Sequence, residues 1–413
     1  MFGDRVYLYG SKDEWGGEYC CWKYHVYSAP LSDLTEWTDH GPVLASTNDY
    51  LEEGIADGID WSDGLLWAPD IAQKGDTYYL YFCLSDGSEG VAESQYPYGP
   101  FVNAKRITMG GTPIDGIDPS VLQVGDDYYY TWGQGHVRMA KLNDDMCTLD
   151  PATFADNLIT NEDGMQGFHE GSSLRKVGDH YVIVYASEYT EEYPNHGGAP
   201  TCLDYAISDN VYGPYTRGGC IVDNTGIDPS SWNDHGSIIK LGDQWYVFYH
   251  GSSNNTKYTR RARVERIDVN EETGEIKQSP MTSSGFAKSL NPEVKVEATC
   301  GYNVSGGAYF TQRDDRFPMI HVSDGCSASW RWFDFGEEGG DWTLKLEAQV
   351  LKSCGVEVWM NGEKKAELAA EAECGMQELE VPVSKVAGLV DLKVVFTGDG
   401  EELAELYSVV FVK

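Results

Sequence analysis

One turn recurs along this chain and limits what it can fold into. Five times a strand-like segment runs into Gly-Asp and then into a strand rich in Tyr or Trp. The copies are Phe2-Gly3-Asp4-Arg5-Val6-Tyr7-Leu8, Lys74-Gly75-Asp76-Thr77-Tyr78-Tyr79-Leu80, Val124-Gly125-Asp126-Asp127-Tyr128-Tyr129-Tyr130, Val177-Gly178-Asp179-His180-Tyr181-Val182-Ile183 and Leu241-Gly242-Asp243-Gln244-Trp245-Tyr246-Val247. Gly-Asp between two β-rich runs reads as a hairpin. The hairpins recur roughly every 50 to 70 residues, the interval of propeller blades that carry insertions. Two later turns also repeat each other, Tyr98-Gly99-Pro100-Phe101 and Tyr212-Gly213-Pro214-Tyr215. A β-sandwich has no reason to repeat its turn chemistry in this way. The pattern predicts an all-β chain that opens with a five-bladed β-propeller over residues 1–280.

A connecting stretch spans 281–292, and the texture changes from residue 293 onward. The Gly-Asp-Tyr module disappears. Alternating strands with Asn361-Gly362 and Gly398-Asp399-Gly400 turns take its place. Residues 293–413 are expected to form a second all-β unit, a β-sandwich of jelly-roll type.

Composition narrows the partners. The formal charge is −36, so nucleic acid, which needs clustered Lys and Arg, is excluded as a partner. An anionic membrane surface is excluded on the same ground, and no run is long enough to span a bilayer. A neutral polymer remains compatible. The chain is rich in rings, with 27 Tyr and 12 Trp, which suits stacking on sugar faces as well as strand packing. Its 10 Cys show no CxxC pair and are expected as buried free thiols in a reducing, cytoplasmic setting. Nothing at the start reads as a signal peptide.

The first strand of each propeller blade lines the central channel, so the segments just before the Gly-Asp turns are where function is expected. Four carry polar residues where packing calls for apolar ones: Trp67-Ala68-Pro69-Asp70, Ile117-Asp118-Pro119-Ser120, His169-Glu170-Gly171-Ser172 and Asp234-His235-Gly236-Ser237. Carboxylates inside apolar strands are costly unless paired or solvated. Repetition at matching places gathers them at one channel mouth. Paired carboxylates in one cavity suit glycosidic cleavage, in which one acid protonates the leaving oxygen and another carboxylate activates water or attacks the sugar. Burial of Glu170 would raise its pKa and suit it to the acid role. Blander readings stand beside these: Asp118 as an Asx-turn residue before Pro119, His235 as a satisfied core histidine, Trp67 as a packing residue, and Asp70 and Asp115 as structural carboxylates.

Over residues 1–280 the chain resembles glycoside hydrolase family 43, a group of inverting five-bladed propellers. The resemblance rests on Tyr7-Leu8-Tyr9-Gly10-Ser11-Lys12-Asp13-Glu14, on Val26-Tyr27-Ser28 with Asp33-Leu34-Thr35-Glu36-Trp37-Thr38, and on Trp67-Ala68-Pro69-Asp70. It implies that Glu170 is the general acid and that Asp118 orients it and tunes its pKa. It implies further that His235 faces the channel, where it can hold a water or a cation. Trp67 would line the sugar subsite, and the Arg260-Arg261 pair, with Arg261 preferred, would contact the sugar. The family's general base is an Asp in an Asp-Pro motif shortly before the first Gly-Asp turn. Here Met1 immediately precedes that turn, and Asp4 in the turn cannot serve. Either the base lies on a strand upstream of Met1 or it is lost.

The C-terminal unit resembles carbohydrate-binding modules of the family 6 type, on Val296-Glu297-Ala298 and Ser329-Trp330-Arg331-Trp332-Phe333-Asp334-Phe335-Gly336. Trp330 and Trp332 are expected on one face of a strand, as core residues or as a sugar platform. Together the resemblances imply an α-L-arabinofuranosidase or β-xylosidase acting on plant cell-wall polysaccharide or oligosaccharide. No organic cofactor is implied, and a Ca2+ could sit in the channel at His235 or in the sandwich. The rivals are a carbohydrate-binding propeller without catalysis and a propeller that binds protein. The choice between arabinose and xylose is expected to depend on the pocket and on loops such as 188–200.

Overall fold

The computed structural model describes residues 1–14, 17–46, 55, 58–160, 167–188, 200–225, 232, 234–253 and 256–413. Most of the 188–200 loop therefore lies outside the described residues. The chain divides into two compact units, one built on residues 1–225, 231–250 and 258–279, the other centred on Pro280–Lys413.

The first unit is a series of mainly antiparallel sheets taken in chain order. The first sheet holds β1 (Arg5–Gly10), β2 (Lys23–Pro30) and β3 (Thr38–Ala45). The second holds β4 (Asp70–Lys74), β5 (Thr77–Cys83), β6 (Glu89–Ser94) and β7 (Val102–Arg106). The third runs β10 (Ser120–Val124), β11 (Asp127–Trp132), β12 (Arg138–Leu142) and β13 (Thr148–Leu149), extended by the short β8 (Thr108–Met109) and β9 (Thr112–Pro113). The fourth holds β14 (Phe168–Val177), β15 (His180–Ser187), β16 (Cys202–Ser208) and β17 (Thr216–Asp223). The fifth holds β18 (Ser237–Leu241), β19 (Gln244–Ser253) and β20 (Thr256–Ile267).

All five Gly-Asp turns are found where the sequence places them. Lys74 pairs with Thr77, Val124 with Asp127, Val177 with His180, Leu241 with Gln244 and Phe2 with Arg5, so each loop has Gly-Asp at its centre. The five glycines have φ between +57° and +61°. That region suits the tight turn whose twist matches a hairpin, and glycine enters it without steric cost. Between sheets, apolar faces interlock. Tyr81, Tyr130 and Trp132 share one cluster, while Phe168, Ile183 and Tyr185 share another with Tyr129 and Met139.

In the second unit one sheet runs β25 (Tyr309–Phe310), β26 (Met319–Ile320), β33 (Ala404–Val412), β28 (Gly340–Val350) and β31 (Gln377–Val386), with β23 (Val296–Glu297) also on β33. The other runs β24 (Asn303–Ser305), β27 (Ser327–Asp334), β32 (Leu389–Thr397), β29 (Cys354–Met360) and β30 (Glu363–Ala370). Alternate residues of both sheets enter one core, among them Leu344, Leu346, Val356, Val358, Leu392 and Val394. The 281–292 stretch is tied to β27, where Ser283 N–H donates to Arg331 O at 2.6 Å and Leu290 N–H to Trp332 O at 2.7 Å.

Two expectations fail. Trp330 and Trp332 do not share a face: the pairing of β27 with β32 slips between Trp330 and Phe333, so Trp330 and Phe333 are buried while Trp332 is half-buried. A β-bulge breaks the period of two. The cysteines are not all free, because Cys202 and Cys220 form a disulfide. The β16–β17 pairing sets Asp204 opposite Cys220 and leaves the two cysteine Cα atoms 6.6 Å apart, within disulfide reach. Of the eight cysteines outside this bond, Cys300 and Cys374 are exposed. Among the described residues no helix is long and apolar enough to cross a membrane.

Candidate active site

The polar segments before the turns lie at the start of the first strand of their sheets. Asp118 stands just ahead of β10, His235 just ahead of β18, and Glu170 is the third residue of β14. Three-dimensional closure brings one ligand atom from each within 4.8 Å of the others. His235 Nε2 is 3.2 Å from Glu170 Oε1 and 3.6 Å from Asp118 Oδ2. Both carboxylates are buried, at 4 % exposure for Asp118 and 6 % for Glu170.

Local backbone shape makes this meeting feasible. Asp118 has φ +58°, a left-handed conformation that Asp tolerates better than most residues. Its Oδ2 accepts from Gly171 N–H at 2.9 Å, across to the next sheet. Asp118 thus bonds to the Glu-Gly strand rather than closing a local Asx-turn. Gly171 has φ +74°, and the β14–β15 pairing shifts register between Glu170 and Ser173. A bulge of this kind re-aims a side chain. A Cβ at residue 171 would lie 2.9 Å from His235 Cδ2, so glycine is what lets the imidazole approach.

Electrostatics follow from burial and this crowding. Burial pushes the Asp118 carboxyl up to about 6, with the Glu170 charge adding to the rise and His235 and the Gly171 N–H opposing it. For His235 burial disfavours the imidazolium, but Asp118 and Glu170 outweigh burial and the pKa ends raised. His235 is therefore satisfied by two acids rather than by core packing.

Several neighbours were not singled out by sequence reasoning. Gln134 Nε2 donates to Glu170 Oε2 at 2.7 Å. His169 approaches the same oxygen at 3.6 Å and bonds through Nδ1 to Glu188. Asp13, inside a motif quoted above, anchors Arg260: its Oδ2 accepts from Arg260 N–H and Nε at 2.8 Å each, and its Oδ1 from Nη2 at 2.7 Å. Burial works against the Asp13 carboxylate, yet the bonds from Arg260 and Cys20 hold its pKa below the ordinary range. The Arg260 guanidinium lies 4.8 Å from the Tyr19 ring and acts on His235. Arg261 is next on β20, and alternation turns its side chain the other way. Trp67, on the segment leading into β4, is half-buried. Its backbone N–H donates to Cys83 O and its carbonyl accepts from Tyr24 Oη. Its indole N–H is buried and meets no acceptor among the described residues.

Asp118, Glu170 and His235 are also the residues here that could face a cation. They offer two carboxylates and one nitrogen, whereas Ca2+ takes six to eight oxygens. Water would have to supply the remaining oxygens of a calcium shell there.

A buried pair of acids with a histidine between them, one acid held by neutral donors, is arranged to hold and move a proton. Residues 1–274 match the sequence profile of Glycosyl hydrolases family 43. The chain belongs to this family. As a family 43 glycoside hydrolase it is similar to a xylosidase/arabinosidase of Thermoclostridium stercorarium, 30% identical over 395 residues that cover 81% of this chain and 79% of that protein. It also resembles a xylosidase/arabinosidase of Bacteroides ovatus, 30% identical over 299 residues, 60% of this chain and 83% of that one. Among solved structures, a family 43 β-xylosidase/α-arabinofuranosidase from a compost metagenome, in complex with xylotriose, matches with TM-score 0.53 and 27% identity over 68% of this chain and 92% of that one. A family 43 arabinoxylan arabinofuranohydrolase from Bacillus subtilis spans 100% of this chain and 94% of its own, with TM-score 0.56 and 23% identity, and speaks to the fold alone.

Proposed function

We propose that this glycoside hydrolase is an inverting enzyme that releases arabinofuranose or xylose from plant cell-wall polysaccharide or oligosaccharide. It would do so at the mouth of a five-bladed propeller followed by a carbohydrate-binding-type β-sandwich. Glu170 protonates the leaving oxygen. Asp118 orients it through its bond to the Gly171 N–H. Trp67 supplies a ring to the sugar, His235 holds the acid pair at its spacing, and an arginine of the Arg260-Arg261 pair contacts sugar hydroxyls. The observation that carries the reading is the Asp118–Glu170–His235 cluster, with Glu170 Oε2 bonded to the neutral amide of Gln134.

Inversion needs a second, ionised carboxylate about 6.5–9.5 Å from the acid. Asp13 is locked by Arg260 and Asp70 by Arg175, so both make poor bases. Among the described residues no carboxylate is matched to the family's base.

The test compares this chain with a version extended upstream, on aryl α-L-arabinofuranosides and aryl β-D-xylosides. Turnover that Glu170→Gln abolishes on substrates with poor leaving groups supports the proposal. No turnover by the extended protein on either substrate defeats it. The absence of a matched base keeps a second reading alive, a sugar-binding propeller without catalysis, which calorimetry with xylo- and arabino-oligosaccharides would reveal.

A further inference from the structure

A single guanidinium links the first strands of four sheets. Arg175, on β14, donates from Nε to Ser237 Oγ on β18 at 3.0 Å. Its Nη1 reaches Asp70 Oδ2 on β4 at 3.2 Å and Ser120 Oγ on β10 at 3.2 Å, and its Nη2 reaches Asp70 Oδ1 at 3.3 Å. Nη1 also donates to Leu174 O at 2.8 Å. Asp70 Oδ2 accepts in addition from Ser120 Oγ and from Val121 N–H, each at 3.0 Å, and Ser120 Oγ accepts from Leu174 N–H at 3.0 Å. The Arg175 and Asp70 side chains are only 24% and 14% exposed. With the Ile71 N–H bond to its Oδ1 at 2.9 Å, Asp70 accepts from four residues, and Arg175 donates to four.

The strands joined in this way carry the candidate site. Asp118 is two residues before Ser120, and His235 two before Ser237. Two residues of chain reach at most about 7 Å, so Asp118 and His235 each sit close to the hydroxyl that Arg175 binds. Glu170 is five residues before Arg175 on β14, across the register shift between Glu170 and Ser173. Asp70 ends the segment that begins at Trp67. The spacing among Trp67, Asp118, Glu170 and His235 is therefore set where their strands converge, one layer below them.

We infer that Arg175, clamped by Asp70, is a positioning residue for the acid cluster: it holds the four strands at the separation that lets His235 bridge Glu170 and Asp118. An arginine suits the task because its planar fork binds a carboxylate through two nitrogens while a third bond leaves from Nε. This inference rests on the glycosidase reading for its kinetic consequence but not for its geometry.

The test compares the parent protein with Arg175→Met, Arg175→Lys and the milder Ser237→Ala, which removes only the Nε bond. A shift of the acid by about 1 Å costs up to ~100-fold. Arg175→Met should lower kcat by about 10–100-fold with KM within about twofold. The loss should be smaller on a dinitrophenyl glycoside, whose leaving group needs no proton, than on a phenyl glycoside. Ser237→Ala should show the same pattern more weakly, and Arg175→Lys should recover part of the rate. A folded Arg175→Met or Ser237→Ala protein with parental kcat on both substrates overturns the inference. So does a rise in KM at constant kcat, which would make Arg175 a substrate contact. Should the parent show no turnover, the glycosidase reading has failed and the ring 15N signals of His235 decide the positioning role. They should move in Arg175→Met and Ser237→Ala, and unmoved signals in a folded variant overturn it.

Discussion

Substituting alanine at Gly171 probes how the acid and the histidine came to share one space. The new Cβ would lie 2.9 Å from His235 Cδ2 and 3.1 Å from its Cγ and Nε2. Real Cβ atoms do not approach carbon this closely, so the ring must retreat. The backbone at residue 171 is left-handed, with φ +74°, which costs a residue with a Cβ about 1–2 kcal/mol. The ring's retreat stretches the 3.2 Å contact between His235 Nε2 and Glu170 Oε1. A hydrogen bond to a charged group is worth about 1.5–3 kcal/mol, so the rate should fall by about 10–100-fold. A double-mutant cycle separates the two costs. In a His235→Ala background the clash is gone, and Gly171→Ala should then cost only the backbone term. Turnover of a phenyl glycoside and urea-unfolding midpoints for the four proteins give a coupling energy of about 1.5–3 kcal/mol. Equal costs in both backgrounds would refute the claim that Gly171 exists to admit the His235 ring.

Three further outcomes are expected. The Asp118 carboxyl sits at about 6 in the fold against 3.8 in the unfolded chain, so its contribution to stability is full below about pH 3.8 and is lost as pH rises through about 6. Asp118→Asn lacks that loss, and its stability relative to the parent should improve by up to about 3 kcal/mol between pH 4 and pH 7.5; a difference independent of pH in urea titrations refutes it. Asp13→Asn leaves the buried Arg260 guanidinium without its carboxylate and should destabilise by about 3–5 kcal/mol, while Arg260→Met and Arg261→Met, compared by KM on aryl glycosides, identify the arginine that meets sugar. Thiol titration of the denatured, unreduced protein should find eight thiols, rising to ten after reduction, given the Cys202–Cys220 bond; ten before reduction would contradict the pairing.

The strands and turns were readable from the chain because they depend on neighbours. Gly-Asp supplies a positive φ and a two-residue loop whatever surrounds it, and all five such turns occur. The alternation read in the second unit is seen in β32, where every other residue enters the core. Asp118, Glu170 and His235 were legible as polar interruptions of those strands. Period-two reasoning failed where a register shift intervened, at Trp330 and Trp332 on β27.

What only the tertiary structure decided are the long-range pairs. Asp13 meets Arg260 across 247 residues and Asp70 meets Arg175 across 105. Nothing in local spacing distinguishes these carboxylates from the solvated ones that give the chain its acidity. Cys202 meets Cys220 because two adjacent strands pair with a register shift between Leu203 and Asp204. Backbone hydrogen bonding is satisfied within a hairpin and so is written in short stretches of sequence. A buried charge finds its partner only when separate sheets close on one another, and there the desolvation cost of an unpaired ion selects the pairing.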